Sequence, residues 1–171
     1  MLVWNRNPAR AEQLVRQLAP EMTAHVVTDL PDAVRGADIV CCATASHEPL
    51  IEGRWLRPGT HLDLIGGYTP AMREADDEAV RRARLYVDSR WFSVAHAGDL
   101  TQPIASGVIT PADVIGDLFE LCGGRCPART GDDEITLFKS GGGAHLDLMT
   151  AQHIARQLTM PVPKPVAGRA S

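Results

Sequence analysis

Two rhythms of hydrophobic and polar positions alternate along this chain. Short, nearly continuous apolar runs fall at 2–4, 25–28, 38–43, 60–65, 84–89 and 134–140, the pattern of strands buried on both faces. Between them the spacing is helical. After the first run, Asn7-Pro8 supplies a side-chain cap and a proline at the first helical position, and Ala11, Leu14, Val15 and Leu18 then recur along one stripe. "DLPDAVRGAD" predicts a turn and a brief helix. Residues 75–83, "ADDEAVRRA", suit a short helix with acids in its first turn and arginines in its last. "RWFSVAHAGDL" predicts another helix. Thr110-Pro111 opens one with Asp113 at its third position. Its stripe is Val114, Ile115, Leu118, Phe119 and Cys122, and Gly123-Gly124 stop it. A last helix runs from about Ala144 to Leu158, after the glycines at 141–143. The remaining residues, 159–171, predict a disordered tail.

Strands that alternate with helices predict an α/β fold, a Rossmann-like parallel sheet with flanking helices over residues 1–158, expected to be a partial domain whose first strand and first helix are missing, so that the run at 2–4 is its second strand. In such sheets ligands gather at the carboxyl ends of the strands. Those ends are Asn5-Arg6, Thr44-Ala45-Ser46, Gly66-Gly67-Tyr68-Thr69 and Lys139-Ser140-Gly141, and they are expected to line one crevice.

Composition narrows the partners. The 171 residues carry a net charge of −4, which gives no reason to expect nucleic acid or an anionic membrane. No apolar run approaches the roughly 18 residues of a membrane span. The four cysteines, Cys41, Cys42, Cys122 and Cys126, lack zinc-site spacing, so no metal is expected and reduced thiols in a cytoplasmic protein are.

The candidate chemistry begins at "WNRN". In a dinucleotide-binding fold the turn after the second strand meets the adenosine ribose. An acid there binds the free 2′-hydroxyl of NAD, whereas an arginine accommodates the 2′-phosphate of NADP. This turn has no acid; Arg6 stands at that place, with Arg10 one helical turn on. Taken alone, both could be solvated surface arginines, but the strand-helix context favours NADP(H) over NAD(H). "CATAS" and "IGGYTP" bring small and hydroxyl residues to strand ends, where a cofactor can approach the backbone; tight turns needing glycine for backbone reasons would read the same. "FKSGGGAH" places a lysine and glycines before a helix, a candidate anion or amide site.

The motifs "VWNRNPARAEQL", "DIVCCATAS", "LRPGTHLDLIGGYTPAMREADDEAVRRARLYVDS", "AGDL" and "ITLFKSGGGAHLDLMTAQHIA" together resemble the ornithine cyclodeaminase/μ-crystallin family, in order and spacing, up to about Leu158. The resemblance implies an NAD(P)-dependent homodimer that forms or reduces C=N bonds of small amino and imino acids. It implies that Trp4, Asn5, Arg6, Asn7 and Arg10 hold the adenosine 2′-phosphate. Ala43, Thr44 and Ala45 would line the ribose and nicotinamide, Ile65, Gly66 and Gly67 would lie beside the nicotinamide, and Ser140 and Gly141 would form the closing loop. Cyclodeaminases carry an aspartate directly after the Gly-Gly; this chain has Tyr68 there. The expectation therefore moves from ornithine cyclodeamination to reduction of a cyclic ketimine such as Δ1-pyrroline-2-carboxylate. Alanine dehydrogenase activity, or ligand binding without turnover as in μ-crystallin, are the alternatives. Tyr68 and His96 are the substrate-pocket candidates, with His96 also readable as a plain surface histidine. In the family a glycine-rich turn and a substrate and dimerisation domain precede the first strand. The expectation is thus that these residues are about the second half of a family member, inactive when isolated.

Overall fold

Asn5 and Asn7 spend their side chains on the first turn. The Asn7 amide donates to Asn5 Oδ1 at 2.9 Å and the Ala9 amide to Asn7 Oδ1 at 3.1 Å. Strand β1 (Leu2–Val3) thereby passes into helix α1 (Pro8–Leu18), with Pro8 where its missing N–H costs nothing. In this computed structural model residues 1–159 are described. The tail expected over 159–171 lies outside them, apart from Thr159. The chain divides into two units, Met1–Gly141 and Gly142 onward.

Within the first unit β1 pairs in parallel with β2 (His25–Val26), which is shorter than the apolar run at 25–28 suggests. Strands β3 (Ile39–Cys42), β4 (His61–Leu64), β5 (Arg84–Val87), β6 (Val114–Asp117) and β7 (Thr136–Lys139) form a five-stranded parallel sheet, in the order β3-β4-β7-β5-β6. Helices α2 (Leu30–Gly36), α3 (Asp77–Arg82), α4 (Arg90–His96), α5 (Gly98–Ala105) and α6 (Leu118–Cys122) connect the strands. This is the expected α/β architecture, with the last strand returning to the middle of the sheet.

The strand register aligns Leu62, Leu137, Leu85 and Val114 in one row across the sheet. All four are buried, against Val34 of α2, Ala79 and Val80 of α3, Leu100 of α5 and the Trp55-Leu56 turn. Each large side chain removed from water there contributes about 1.5–3 kcal/mol, so this face holds the unit together. The opposite face carries Cys41, Asp63, Phe138 and Tyr86 in one row. Tyr86 lies under the segment through Pro127, whose carbonyl accepts its hydroxyl at 2.9 Å. A cavity of about 300 Å³ opens beside it, lined by His61, Arg129, Thr136 and Phe138 among others. Ile39, at the edge of this face, is 66% exposed. This face is covered at its middle, where Tyr86 is buried and Phe138 half-buried, and open at the edge strand β3.

Two helices differ from expectation. Residues 110–122 are not one helix: Pro111–Asp113 make a single 3-10 turn, strand β6 follows, and α6 begins only at Leu118. Val114 completes the core row beside Leu85, a place that an extended segment reaches and a helix would not. Asp117 is the true helix cap. It accepts the Glu120 amide at 2.9 Å, while Glu120 Oε2 accepts the Asp117 amide at 2.9 Å. The helix expected over 90–100 is broken at Ala97 into α4 and α5, and α5 continues to Ala105.

In the second unit Gly142 and Gly143 adopt φ of 73° and 158°, conformations that favour glycine, and helix α7 (Ala144–Thr159) follows. Leu148, Met149, Ile154 and Leu158 on it are exposed. Among the described residues no helix is long and apolar enough to cross a membrane, and no group of three or more His, Cys, Asp or Glu side chains is placed to hold a metal.

Candidate functional site

Because β3, β4, β7 and β5 run parallel and in register, Cys42, Leu64, Lys139 and Val87 stand in one line, and the segments leaving them share one edge of the sheet. The residues singled out in the sequence divide by exposure. Ala43, Ala45, Ile65 and Tyr68 are exposed, Thr44 and Ser140 half-buried, and Gly66, Gly67 and Gly141 buried.

The buried glycines are explained by neighbouring protein atoms. A Cβ on Gly66 would lie 1.9 Å from the Thr44 carbonyl oxygen; one on Gly67, 2.2 Å from Asp99 Oδ2; one on Gly141, 2.3 Å from Ser93 Oγ. The loop after β4 therefore lies against the backbone of the loop after β3, while Gly67 and Gly141 lie against side chains of α5 and α4.

Carboxylates tie them. Glu74, fully buried, accepts the Thr44 amide at 2.6 Å and the Thr44 hydroxyl at 2.8 Å, and on its other oxygen the Gly66 amide at 2.6 Å. Asp99 Oδ1 accepts the amides of Glu74 at 2.7 Å and Ala75 at 3.2 Å. Its Oδ2 faces Lys139 Nζ at 3.1 Å, with both side chains 0% exposed. Asp88 does the same work for the last loop. Its Oδ2 accepts the Gly141 amide at 2.9 Å, its Oδ1 accepts the Ser89 amide at 2.7 Å, and the Ser93 hydroxyl also donates to Oδ1. Burial pushes the Cys42 thiol far above its ordinary range, and the neighbouring carboxylates of Glu74 and Asp99 add to the rise, so this cysteine stays a neutral packing group.

Lys139 is therefore not an anion or amide donor facing the crevice, as the "FKSGGGAH" stretch suggested. An ammonium at the last position of a central strand is costly to bury alone, and Asp99 neutralises it in place.

The turn after β1 is different. Trp4 is half-buried, and Asn5, Arg6, Asn7 and Arg10 are exposed. Asn5 and Asn7 are committed to the turn and the cap. Arg6 reaches the loop after β3, donating to Ser46 Oγ at 3.5 Å, and Ser46 Oγ in turn donates to the Glu48 carbonyl at 2.7 Å. The first strand's turn thus meets the edge of the five-stranded sheet at its carboxyl side.

Tyr68 is 57% exposed and stands where the loop after β4 bends back. His96 is exposed at the end of α4, with its ring centroid 5.0 Å from that of Phe92. The Gly98 amide donates to the Thr69 carbonyl at 3.1 Å, which brings the segments next to Tyr68 and His96 together.

Glu74, Asp88, Asp99 and Lys139 carry this architecture, and sequence reasoning missed their roles. Asp99 lies between Gly98 and Leu100, and Lys139 ends an apolar strand, so a charge set into apolar surroundings was a readable signal for these two. Glu74 has none, because Asp76, Asp77 and Glu78 stand beside it and look alike.

Comparison with known proteins agrees with this architecture. The family model "Ornithine cyclodeaminase/mu-crystallin family" matches residues 1–160. A Delta(1)-pyrroline-2-carboxylate reductase of Paracoccus denitrificans is 52% identical over 155 residues, which cover 90% of this chain and 49% of that protein. Mouse ketimine reductase mu-crystallin is 35% identical over 150 residues, 88% of this chain and 44% of that protein. The solved structure of Thermococcus litoralis Delta(1)-pyrroline-2-carboxylate reductase in complex with NADH and L-proline superposes with a TM-score of 0.85 at 34% identity, covering 88% of this chain and 47% of that one. The chain thus spans about half the length of the relatives it matches. With the parallel sheet, the strand-end loops and these matches in place, the chain belongs to the ornithine cyclodeaminase/mu-crystallin family.

Proposed function

We propose that this chain carries the cofactor-facing part of an NAD(P)H-dependent reductase of small cyclic imino acids, with Δ1-pyrroline-2-carboxylate or a related ketimine as substrate. The observation that carries the reading is the 52% identity, over 90% of the chain, to a reductase of that name. The relative solved with NADH and L-proline supports it, since L-proline is what reduction of that imine yields.

The residues present fit a nicotinamide dinucleotide. The Arg6 guanidinium is exposed at the β1 turn, as a phosphate requires, and Ala43, Ala45 and Ile65 are exposed apolar residues at adjoining strand ends, where a flat ring could rest. In this reading Arg6 and Arg10 bind the adenosine 2′-phosphate, with Trp4, Asn5 and Asn7 shaping the turn. Ala43, Thr44 and Ala45 line the ribose and nicotinamide, and Ile65, Gly66 and Gly67 back the nicotinamide. Ser140 and Gly141 border it. Tyr68 and His96 flank the imine. The cofactor, when bound, supplies the hydride for the imine carbon; the protein's part is orientation and exclusion of water. Tyr68, at the place where the resemblance has a water-activating aspartate, favours reduction over cyclodeamination.

The preference within this reading is NADPH, because the β1 turn has Arg6 and no acid, with Arg10 in the first turn of α1. A fluorescence titration of the 171-residue chain with NADPH and NADH tests it. Tighter binding of NADPH, brought down to the NADH level by Arg6→Ala, supports the assignment. Equal binding of both, unaffected by Arg6→Ala, refutes the NADP preference; binding of neither by the folded chain refutes the cofactor reading for these residues.

A further inference from the structure

Residues 73–76 run as a clasp across the strand ends. The Arg73 amide donates to the Ser46 carbonyl at 2.8 Å, the Glu74 carbonyl accepts the Leu50 and Ile51 amides at 2.8 and 2.9 Å, and the Asp76 amide donates to the Ile51 carbonyl at 2.9 Å. Glu74 is the one residue of this clasp whose side chain reaches both loops. Each of its carboxylate oxygens accepts a different backbone N–H, that of Thr44 on Oε1 and that of Gly66 on Oε2, both at 2.6 Å. Only a group with two acceptors and no donor satisfies both. A glutamine of the same shape would turn its NH₂ toward one of the two N–H groups whichever way it flipped. The Glu74 backbone is itself fixed, because Asp99 Oδ1 accepts its amide and Lys139 neutralises Asp99.

We propose that Glu74 is a positioning residue. Its carboxylate fastens the loop after β3 to the loop after β4, so that Ala43, Ala45 and Ile65 present one fixed wall to the nicotinamide half of the cofactor. The fastening stands on the geometry alone; its use for a nicotinamide rests on the reading given above. The fastening also accounts for Gly66, whose backbone must lie against the Thr44 backbone for one carboxylate to span both. Glu74 is buried and does not touch the crevice, so its effect passes through the two loops.

The experiment is amide hydrogen exchange on the 171-residue chain and its Glu74→Gln variant, followed by an NADH and NADPH titration of both. The expected result is exchange faster by about tenfold or more at whichever of Thr44 and Gly66 faces the glutamine NH₂, or at both where the loops part, with the Leu62 and Leu137 amides of the sheet unchanged. Cofactor affinity falls by about tenfold or more with them. Continued protection of both amides in Glu74→Gln overturns the fastening. Equal acceleration in the sheet overturns it too, since Glu74 would then be a general stabiliser. Release of either amide with unchanged affinity overturns the positioning role. If Glu74→Gln does not fold, the wild-type chain decides: both amide nitrogens must show scalar coupling through the hydrogen bond to the Glu74 carboxyl carbon, and coupling to only one overturns the proposal. A wild-type chain that binds neither cofactor defeats the nicotinamide reading, while the exchange result still decides the fastening.

Discussion

The turn after β1 and the loops after β3, β4 and β7 lie along the same edge, but they are held in different ways. The turn is local and wet. Asn5 and Asn7 serve amides two residues on, and Arg6 makes one long hydrogen bond, at 3.5 Å. The loops are tied by partners from far along the chain. Thr44 and Glu74 are 30 residues apart and Gly141 and Asp88 53 apart, with carboxylates that see little or no water. A site built this way has one end free to adapt to a charged group and another end preset. Solvent screens the first and low dielectric strengthens the second, so substitutions in the two regions should differ in cost by several-fold.

The largest effect is expected at the buried pair. Asp99→Asn or Lys139→Met leaves a charge without its partner, and unfolding in urea should show a loss of about 3–5 kcal/mol for either alone. Combining the two should recover most of that loss, since no unpaired charge remains; a double variant as unstable as the singles would show that the pair is not the source of the cost. Next comes Gly66→Ala, whose methyl would meet the Thr44 backbone at 1.9 Å. It should cost about 1–3 kcal/mol by the same measurement, because backbone cannot yield as a side chain does. In the β1 turn the costs are smaller. Asn7→Ala removes the cap of α1 and should lower stability by about 1 kcal/mol. Arg6→Ala should change stability by no more than about 0.5 kcal/mol, and so separate binding from folding in the titration described above.

A pH scan adds a control from outside both regions. Burial lowers the His61 pKa from its ordinary value of 6.5, with the Arg129 charge adding to the effect against Asp63. Its Nδ1 lies 2.7 Å from Thr136 Oγ1. Below about pH 6.5 the unfolded chain takes up a proton that the folded chain does not, so this residue's contribution to stability is present above that pH and is lost as acid approaches the folded-state pKa. His61→Gln, which keeps a hydrogen-bond acceptor for Thr136, should flatten that part of the melting-temperature profile; an unchanged slope would show that the acid sensitivity lies elsewhere.

The legibility of the chain follows the range of the interactions. Helix α1 was readable because cap, proline and stripe are all local. Residues 110–122 were misread because Val114, Ile115, Leu118 and Phe119 satisfy a helical spacing as well as a strand followed by a helix. Only the vacancy beside Leu85 in the core row decides between them. The motifs around Arg6, Thr44, Gly66 and Ser140 were visible as strand ends, and the register does bring the last three segments onto one edge.

By itself, the sequence determined the alternation of strands and helices, the family, and the chemical character of the candidate crevice, since periodicity, capping residues and motif order are properties of neighbours along the chain. Tertiary structure alone decided that β7 returns to the middle of the sheet, that Lys139 turns inward to Asp99, and that Glu74, among several similar carboxylates, joins two loops. Burial sets those outcomes. A charge or an amide inside the protein must find its partner wherever the fold brings one, and sequence distance does not say where that is.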